Sequence, residues 1–401
     1  MLDESRHGQA YIHVEHGEAL ERAGRFDEAM LEFKRAVEAD PGLARAHLAL
    51  GYHYQRKGLL TKAAEEFRTA LSLEESYEAY YSLGHVLIDL EQYEEAVQVF
   101  ARCLEILPDD PSSRYELAYA YYCLADYQAA LTLLKELLGS YPDDWDLYHL
   151  SGSCYLSMGD YTAAAQALET AVAKAPSPAE AISVQDTLAI ARRHLEMDAD
   201  HDSRPKDRLY ADYGVIYLGS GGDDGITIPE YEGYTFRYHD VAVTLRRLYA
   251  IALGFGWHFD AIAMTDEGSQ PLGLVLSRLF HAPLKPVEEL SPTQFTLVVT
   301  AHGSVPELCQ VVMERIEGPM LSFILGVDWA GESDLLPDIV GVLSNRPVAL
   351  PWGSTPSRRE AATIAGKISR AYNALGPEPT LQTQVSYYTD LHRRLRFLSE
   401  A

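Results

Sequence analysis

Residues 84–108 read "GHVLIDLEQYEEAVQVFARCLEILP". Ala96 follows Gly84 at twelve positions, Phe100 comes four later, Cys103 three later, and Pro108 closes the stretch. The same spacing recurs on both sides. Gly17 leads to Ala29, Phe33 and Ala36, and Gly51 to Ala63, Phe67 and Ala70. Ala118 leads to Ala130, Leu134 and Leu137, and Gly152 to Ala164, Leu168 and Ala171. Pro41, Pro142 and Pro176 close their units, while the second unit has Glu75 at that place. Units start at Ala10, Ala44, Tyr77, Pro111 and Trp145. This period predicts a stack of helix pairs, because a single pair cannot bury its apolar face. The small residue lets the first helix approach its partner. The Ala and aromatic positions fill the seam, and the proline stops the second helix.

Residues 8–177 resemble the tetratricopeptide repeat family on these matched positions. After them, Val184, Leu188, Ala191 and Leu195 recur at helical spacing, with Arg192 and Arg193 near the end. This predicts a capping helix with a polar outer face. In the family, the first helix of each unit lines a concave groove. Carried onto this chain, the resemblance implies a partner-binding groove with Tyr11, Tyr52, Tyr81, His85, Tyr115, Tyr119, Tyr122 and His149. Glu15, Glu18, Glu78, Asp89 and Glu116 are interleaved with them. Tyrosine supplies rigid contact area with a polar tip, so such a groove suits a basic or amphipathic protein or peptide. Several of these tyrosines can equally pack between helices. The chaperone-tail clamp of some family members needs Lys, Asn and Arg where Val14, Glu18, Ala49, Glu78 and Ser82 stand, which sets that function aside.

The chain of 401 residues carries a formal charge of −26. Residues 1–200 hold 16 Lys and Arg against 35 Asp and Glu, a net of −19, and the remainder a net of −7. Such a field argues against nucleic acid and anionic lipid as partners of the first half. Cys103, Cys123, Cys154 and Cys309 form no CxxC pair and read as reduced thiols. The start "MLDESRHGQAYIHVEHGEAL" has no apolar core segment and no stretch is long enough to span a bilayer, so the expected location is cytoplasmic.

A polar, proline-broken stretch at 198–209 reads as a linker between a solenoid at 1–197 and a domain at 210–401. Beyond it, apolar runs "YGVIYLG", "FDAIAMT", "APLKPV", "FTLVVTA", "MLSFILGV" and "PVALPWG" alternate with helical patterns. Helices are expected near 240–254, 271–280, 306–316, 356–374 and 382–399. The pattern predicts an α/β domain with a mostly parallel sheet covered on both faces. The glycine-rich "GSGGDDG" at 219–225 looks like a nucleotide loop, but Pro229 and Gly233 prevent the helix that must follow. Asp223 and Asp224 would also repel phosphate, and the stretch reads as a flexible turn.

Residues 213–327 resemble the type I phosphoribosyltransferases, the orotate type above all, through Ser220-Gly221, Tyr238, "DAIAM", "TDEGSQ", "PLGLVLSRL" and "HAPLKPV". The resemblance implies ligand loops at Asp266, Glu267 and Gly268 and at His302, Gly303 and Ser304. The family's signature loop has two adjacent carboxylates that grip the ribose. Here Thr300, Ala301 and His302 stand in that place. Two carboxylates at 266–267 oppose a pyrophosphate unless a metal bridges them. The expected function is therefore a protein-interaction scaffold with an inactive phosphoribosyltransferase-like domain. No catalytic residue, metal ligand or cofactor is assigned, and self-association stays open. The alternative is an enzyme or sensor for a phosphorylated or nucleoside ligand, recruited by the repeats. The tail "SYYTDLHRRLRFLSEA" carries Leu391, Leu395 and Leu398 at helical spacing beside Arg393, Arg394 and Arg396. It is expected either to engage the acidic repeats or to cover the sheet.

Overall fold

In the computed structural model each repeat unit forms two helices joined by a short turn. The structure describes residues 2–197, 204–303, 311–328, 337–353, 355–389 and 395. The first helices are α1 (Leu2–Arg22), α3 (Ala44–Arg56), α5 (Tyr77–Asp89), α7 (Pro111–Cys123) and α9 (Trp145–Ser157). Their partners are α2 (Phe26–Ala39), α4 (Leu60–Leu73), α6 (Tyr93–Ile106), α8 (Tyr127–Ser140) and α10 (Tyr161–Lys174). Side chains of Asp110, Asp126, Asp144 and Asp160 accept backbone N–H bonds at the starts of α7 to α10, relieving orphan donors there. The turn inside each unit holds one left-handed residue: Gly24, Gly58, Glu91, Ala125 and Gly159. Glycine adopts that conformation freely, whereas Glu91 and Ala125 are strained in it. The seam is tight where the repeat requires a small residue. A Cβ on Gly51 would lie 2.6 Å from the Phe67 ring, and one on Gly84 2.5 Å from Phe100.

The chain divides into two compact units, Met1–Leu188 and Ala189–Ala401. The division falls inside α11 (Pro178–Leu195), the expected cap. Val184, Leu188 and Ala191 are buried as its periodicity requires, but Leu195, expected with them, is exposed at the helix end. Arg193, expected on a polar face, is buried and donates to the carbonyls of Ala211 and Asp212 at 3.0 Å. Part of the expected linker is corrected too. Residues 205–209 begin α12 (Pro205–Tyr213), with Lys206 and Leu209 buried. Proline at the first helical position starts this helix. The buried Lys206 amine donates to the Gly225 carbonyl at 2.6 Å and lies over the Tyr387 and Tyr388 rings, and burial, with Arg247 nearby, lowers its pKa to about 7. Residues 198–203 lie outside the described residues.

The second unit is built on five parallel strands in the order β1-β6-β5-β4-β3. These are β1 (Ile216–Tyr217), β3 (Ala261–Met264), β4 (Thr296–Gly303), β5 (Met320–Asp328) and β6 (Ile339–Ser344). A separate parallel pair joins β2 (Tyr234–Thr235) to β7 (Val348–Ala349). By strand alternation Leu321, Phe323 and Leu325 enter one core, and Ile324 enters the other with Tyr217 and Val340. The first core is filled by α13 (Tyr238–Phe255), α14 (Gln270–Leu279) and the helices Arg358–Asn373 and Leu381–Thr389. α12 contributes Leu209 to the second. The "APLKPV" run is not a strand; Leu284 makes only an isolated bridge to Ile262. β6 was not expected from sequence. Of the helix expected near 306–316, residues 306–310 lie outside the described residues and 311–313 are helical.

The loop 219–225 is pinned rather than flexible. Asp223 accepts from the Ser220 and Gly225 amides, the Tyr231 hydroxyl and Arg247. Arg247, 1% exposed, also donates to Glu378 and to the carbonyls of Leu218 and Asp223. Of the tail, Tyr388 and Leu395 are buried in the sheet's core beside Val385, and the Tyr388 hydroxyl accepts from the Tyr217 amide. Leu395 thus covers the sheet, one of the two expected outcomes, while Leu391 and Leu398 lie outside the described residues. Arg393, Arg394 and Arg396 lie outside the described residues.

Candidate functional site

Successive first helices of the repeat unit are linked through the residues expected to meet a partner. The Tyr52 hydroxyl of α3 donates to Glu78 of α5 at 3.1 Å and accepts from Ser82 at 2.7 Å. Its ring meets Phe67 edge-on at 5.3 Å, so Tyr52 is at once seam and surface. Burial pushes its pKa up to about 12, and it stays a neutral donor. Tyr81 stacks on Tyr77 at 5.6 Å and meets His85 edge-on at 4.6 Å. His85 of α5 reaches Glu116 of α7, Nε2 to Oε1 3.7 Å. Tyr119, Tyr122 and Tyr127 form a tilted row, and His149 stacks on Trp145 at 6.1 Å. Burial lowers the His149 pKa against the pull of Asp146.

Between α5, α7 and α9 this surface sinks into a cavity of about 320 Å³. Tyr81, Tyr115 and Tyr141 wall it, and Glu116, Asp144 and Asp146 supply carboxylates. Glu116 is held above the usual carboxylate range, first by burial and then by Asp146 and Asp89, while His85 pulls it down. Among the described residues Glu116 makes no hydrogen bond; its ion-pair partner is the His85 ring. Burial, with Asp146 beside it, likewise raises the Tyr115 hydroxyl pKa. The expected residues Tyr81, His85, Tyr115 and Glu116 are thus brought together. Tyr52 belongs to the α3–α5 junction, and Tyr119, Tyr122 and His149 lie half-buried along α7 and α9.

In the second unit a cavity of about 430 Å³ opens at the carboxyl ends of the parallel strands. Asp266, Gly268, Ala301, His302, Val348 and Leu350 are among its walls. This is where open α/β sheets place ligands. Asp266 Oδ1 accepts from the Ser269 amide at 2.8 Å and hydroxyl at 3.0 Å, so it caps a short turn. Glu267 is exposed, and the Gly268 carbonyl accepts from the Trp352 indole at 3.3 Å. His302 is not a loop residue: β4 carries it and Gly303 into register with Gly326 and Val327. The His302 Nε2 lies 3.2 Å from both oxygens of Asp328, whose Oδ1 accepts from the Val348 amide at 2.7 Å. Ser304 lies outside the described residues. The His302–Asp328 pairing had no signal in sequence beyond two residues at adjacent strand ends. Among the described residues there is no cluster of three metal-ligating side chains and no helix long and apolar enough to cross a membrane.

Sequence models of the tetratricopeptide repeat match residues 14–76, 48–111, 87–149 and 124–186. The chain is similar to the crystal structure of YrrB, a TPR protein with an unusual peptide-binding site. Identity there is 22% over 43% of this chain and 90% of that one, with a TM-score of 0.41. It is also similar to the crystal structure of MamA, at 24% identity over 41% and 91%, TM-score 0.40. A third is PilF of Pseudomonas aeruginosa, at 19% identity over 48% and 88%, TM-score 0.38. No curated protein matches the chain.

Proposed function

We propose that the tetratricopeptide repeats of residues 14–186 make this chain a protein-interaction scaffold whose first-helix face binds a basic or amphipathic peptide. Repeats of this type commonly mediate contacts between proteins. The observation that carries the reading is the row of tyrosines and carboxylates running through Tyr52, Glu78, Tyr81, His85, Glu116 and Asp146, all but the exposed Glu78 half-buried. Tyrosine rings offer area at low entropic cost, and the net charge of −26 selects a cationic partner over nucleic acid or an anionic membrane. The setting we propose is cytoplasmic. Fluorescence anisotropy of the full chain with a basic amphipathic peptide and its acidic counterpart tests it. Binding of the basic peptide that weakens with salt is expected. Equal binding of both, or of neither, overturns the reading.

The second unit serves as a scaffold and does not transfer phosphoribose, and we propose that the repeats end by residue 197. The resemblance to phosphoribosyltransferases is retained as a proposal about ancestry. Asp266 and Asp328 beside the strand-end cavity disfavour a pyrophosphate. Calorimetry with phosphoribosyl pyrophosphate and magnesium is expected to show no tight binding. Micromolar binding would favour the rival reading of a ligand sensor or enzyme.

A further inference from the structure

We propose that the cavity between α5, α7 and α9 is an anchor pocket for one arginine side chain of the partner, an inference that rests on the peptide-binding reading above. The argument comes from comparing equivalent junctions of the solenoid. The second residue of the five units is Tyr11, Arg45, Glu78, Ser112 and Asp146 in turn. At the first junction the chain supplies its own cation. The Arg45 guanidinium lies 5.3 Å over the Tyr11 ring, with Nη2 3.0 Å from the Glu18 carboxylate. At the second, hydroxyls close the gap, since Tyr52 bridges Glu78 and Ser82. At the fourth, Asp146 stands where Arg45 stands in the second unit, and adds a negative charge to Glu116 instead of neutralising it. Ser112 and Tyr119 stand where Tyr11 and Glu18 enclose Arg45, but Tyr81, Tyr115, Glu116 and Asp144 bring other rings and carboxylates to the cavity, and among the described residues no lysine or arginine lines it. Arg114, on α7, donates instead to the Pro108 carbonyl at 2.6 Å.

A guanidinium suits this place better than an ammonium. It is planar and stacks on tyrosine, and its fork meets two carboxylate oxygens at once. Glu116, whose charge is disfavoured by burial and by Asp146 and Asp89, gains most from such a partner. An acidic or phosphorylated peptide would face three carboxylates at close range.

The test uses the full chain and three labelled versions of one amphipathic peptide, carrying arginine, lysine or citrulline at the basic positions. Citrulline keeps the shape of arginine and removes its charge. Fluorescence anisotropy at low salt is expected to rank arginine first, with citrulline at least about tenfold weaker. Glu116→Gln and Asp146→Asn should each weaken the arginine peptide about tenfold and leave the citrulline peptide unchanged. Glu116→Gln is nearly isosteric at a side chain without a hydrogen bond, so its fold is expected intact; unchanged helical circular dichroism checks this. If arginine and lysine peptides bind alike, or if the two variants change nothing, the arginine pocket is refuted while peptide binding stands. If none of the three peptides binds, the peptide reading falls and the pocket with it.

Discussion

Gly84→Ala should destabilise the repeat unit, and Phe100→Leu should rescue it. The new Cβ would lie 2.5 Å from Phe100 Cζ and 2.6 Å from Cε1, closer than carbon atoms approach. Phe100 is fully buried on α6 and has no free volume to move into. Overpacking of this kind costs about 1–3 kcal/mol. Alanine's better helix propensity returns about 1 kcal/mol, leaving a net loss of up to about 2 kcal/mol. Phe100→Leu alone leaves unfilled space and should also cost about 1–2 kcal/mol. Together the changes reproduce the pairing that the fourth unit already uses, Ala118 against Leu134, both fully buried. The double variant should therefore lose less than the sum of the two by at least about 1 kcal/mol. Urea denaturation of the four proteins, followed by circular dichroism, measures the cycle. Additive losses would refute the claim that the small residue and the aromatic form one packing unit.

Ala125→Gly should raise stability by about 0.5–1 kcal/mol, because Ala125 sits at a φ of 59° in a turn where three sister units have glycine; a lower melting point contradicts this. Arg247→Met should cost about 3–5 kcal/mol in denaturant, since Asp223 and Glu378 would keep buried charges without their partner; a loss below about 1 kcal/mol would show the network to be slack. The Glu66 hydrogen bond raises the His47 pKa against burial, so the fold binds the imidazolium more tightly than the unfolded chain does. Its stabilisation is full below the unfolded pKa and fades as pH rises through the folded one. His47→Gln should thus lose about 1 kcal/mol more at pH 5.5 than at pH 9, read from urea midpoints; equal losses at both would break the linkage. A fragment of residues 1–197 should melt cooperatively with helical circular dichroism, and an aggregated fragment would argue against the proposed boundary.

The repeats were legible because each unit places the same side chains in the same seam, so the spacing of Gly84, Ala96 and Phe100 is itself the packing. Helices α13 and α14 were legible for the related reason that one face of each is apolar. What sequence hid was burial of charge. Lys206 and Asp223 are polar letters that read as linker and turn, yet each is buried through partners far along the chain, Tyr387 and Tyr388 for the first and Arg247 for the second. Local patterns carry no trace of such pairings. His302 was misplaced because the run of apolar letters ends at Ala301, while the ladder to β5 continues through Gly303. The tail was ambiguous because leucines at helical spacing do not say which apolar surface they cover.

Hydrogen–deuterium exchange of the full chain, with and without a basic amphipathic peptide, tests the central claim most directly. The account predicts added protection in α3, α5, α7 and α9, greatest at 77–89, 111–123 and 145–157, where the tyrosine–carboxylate row runs. Protection confined to the second unit, around the His302 and Asp266 cavity, would contradict it.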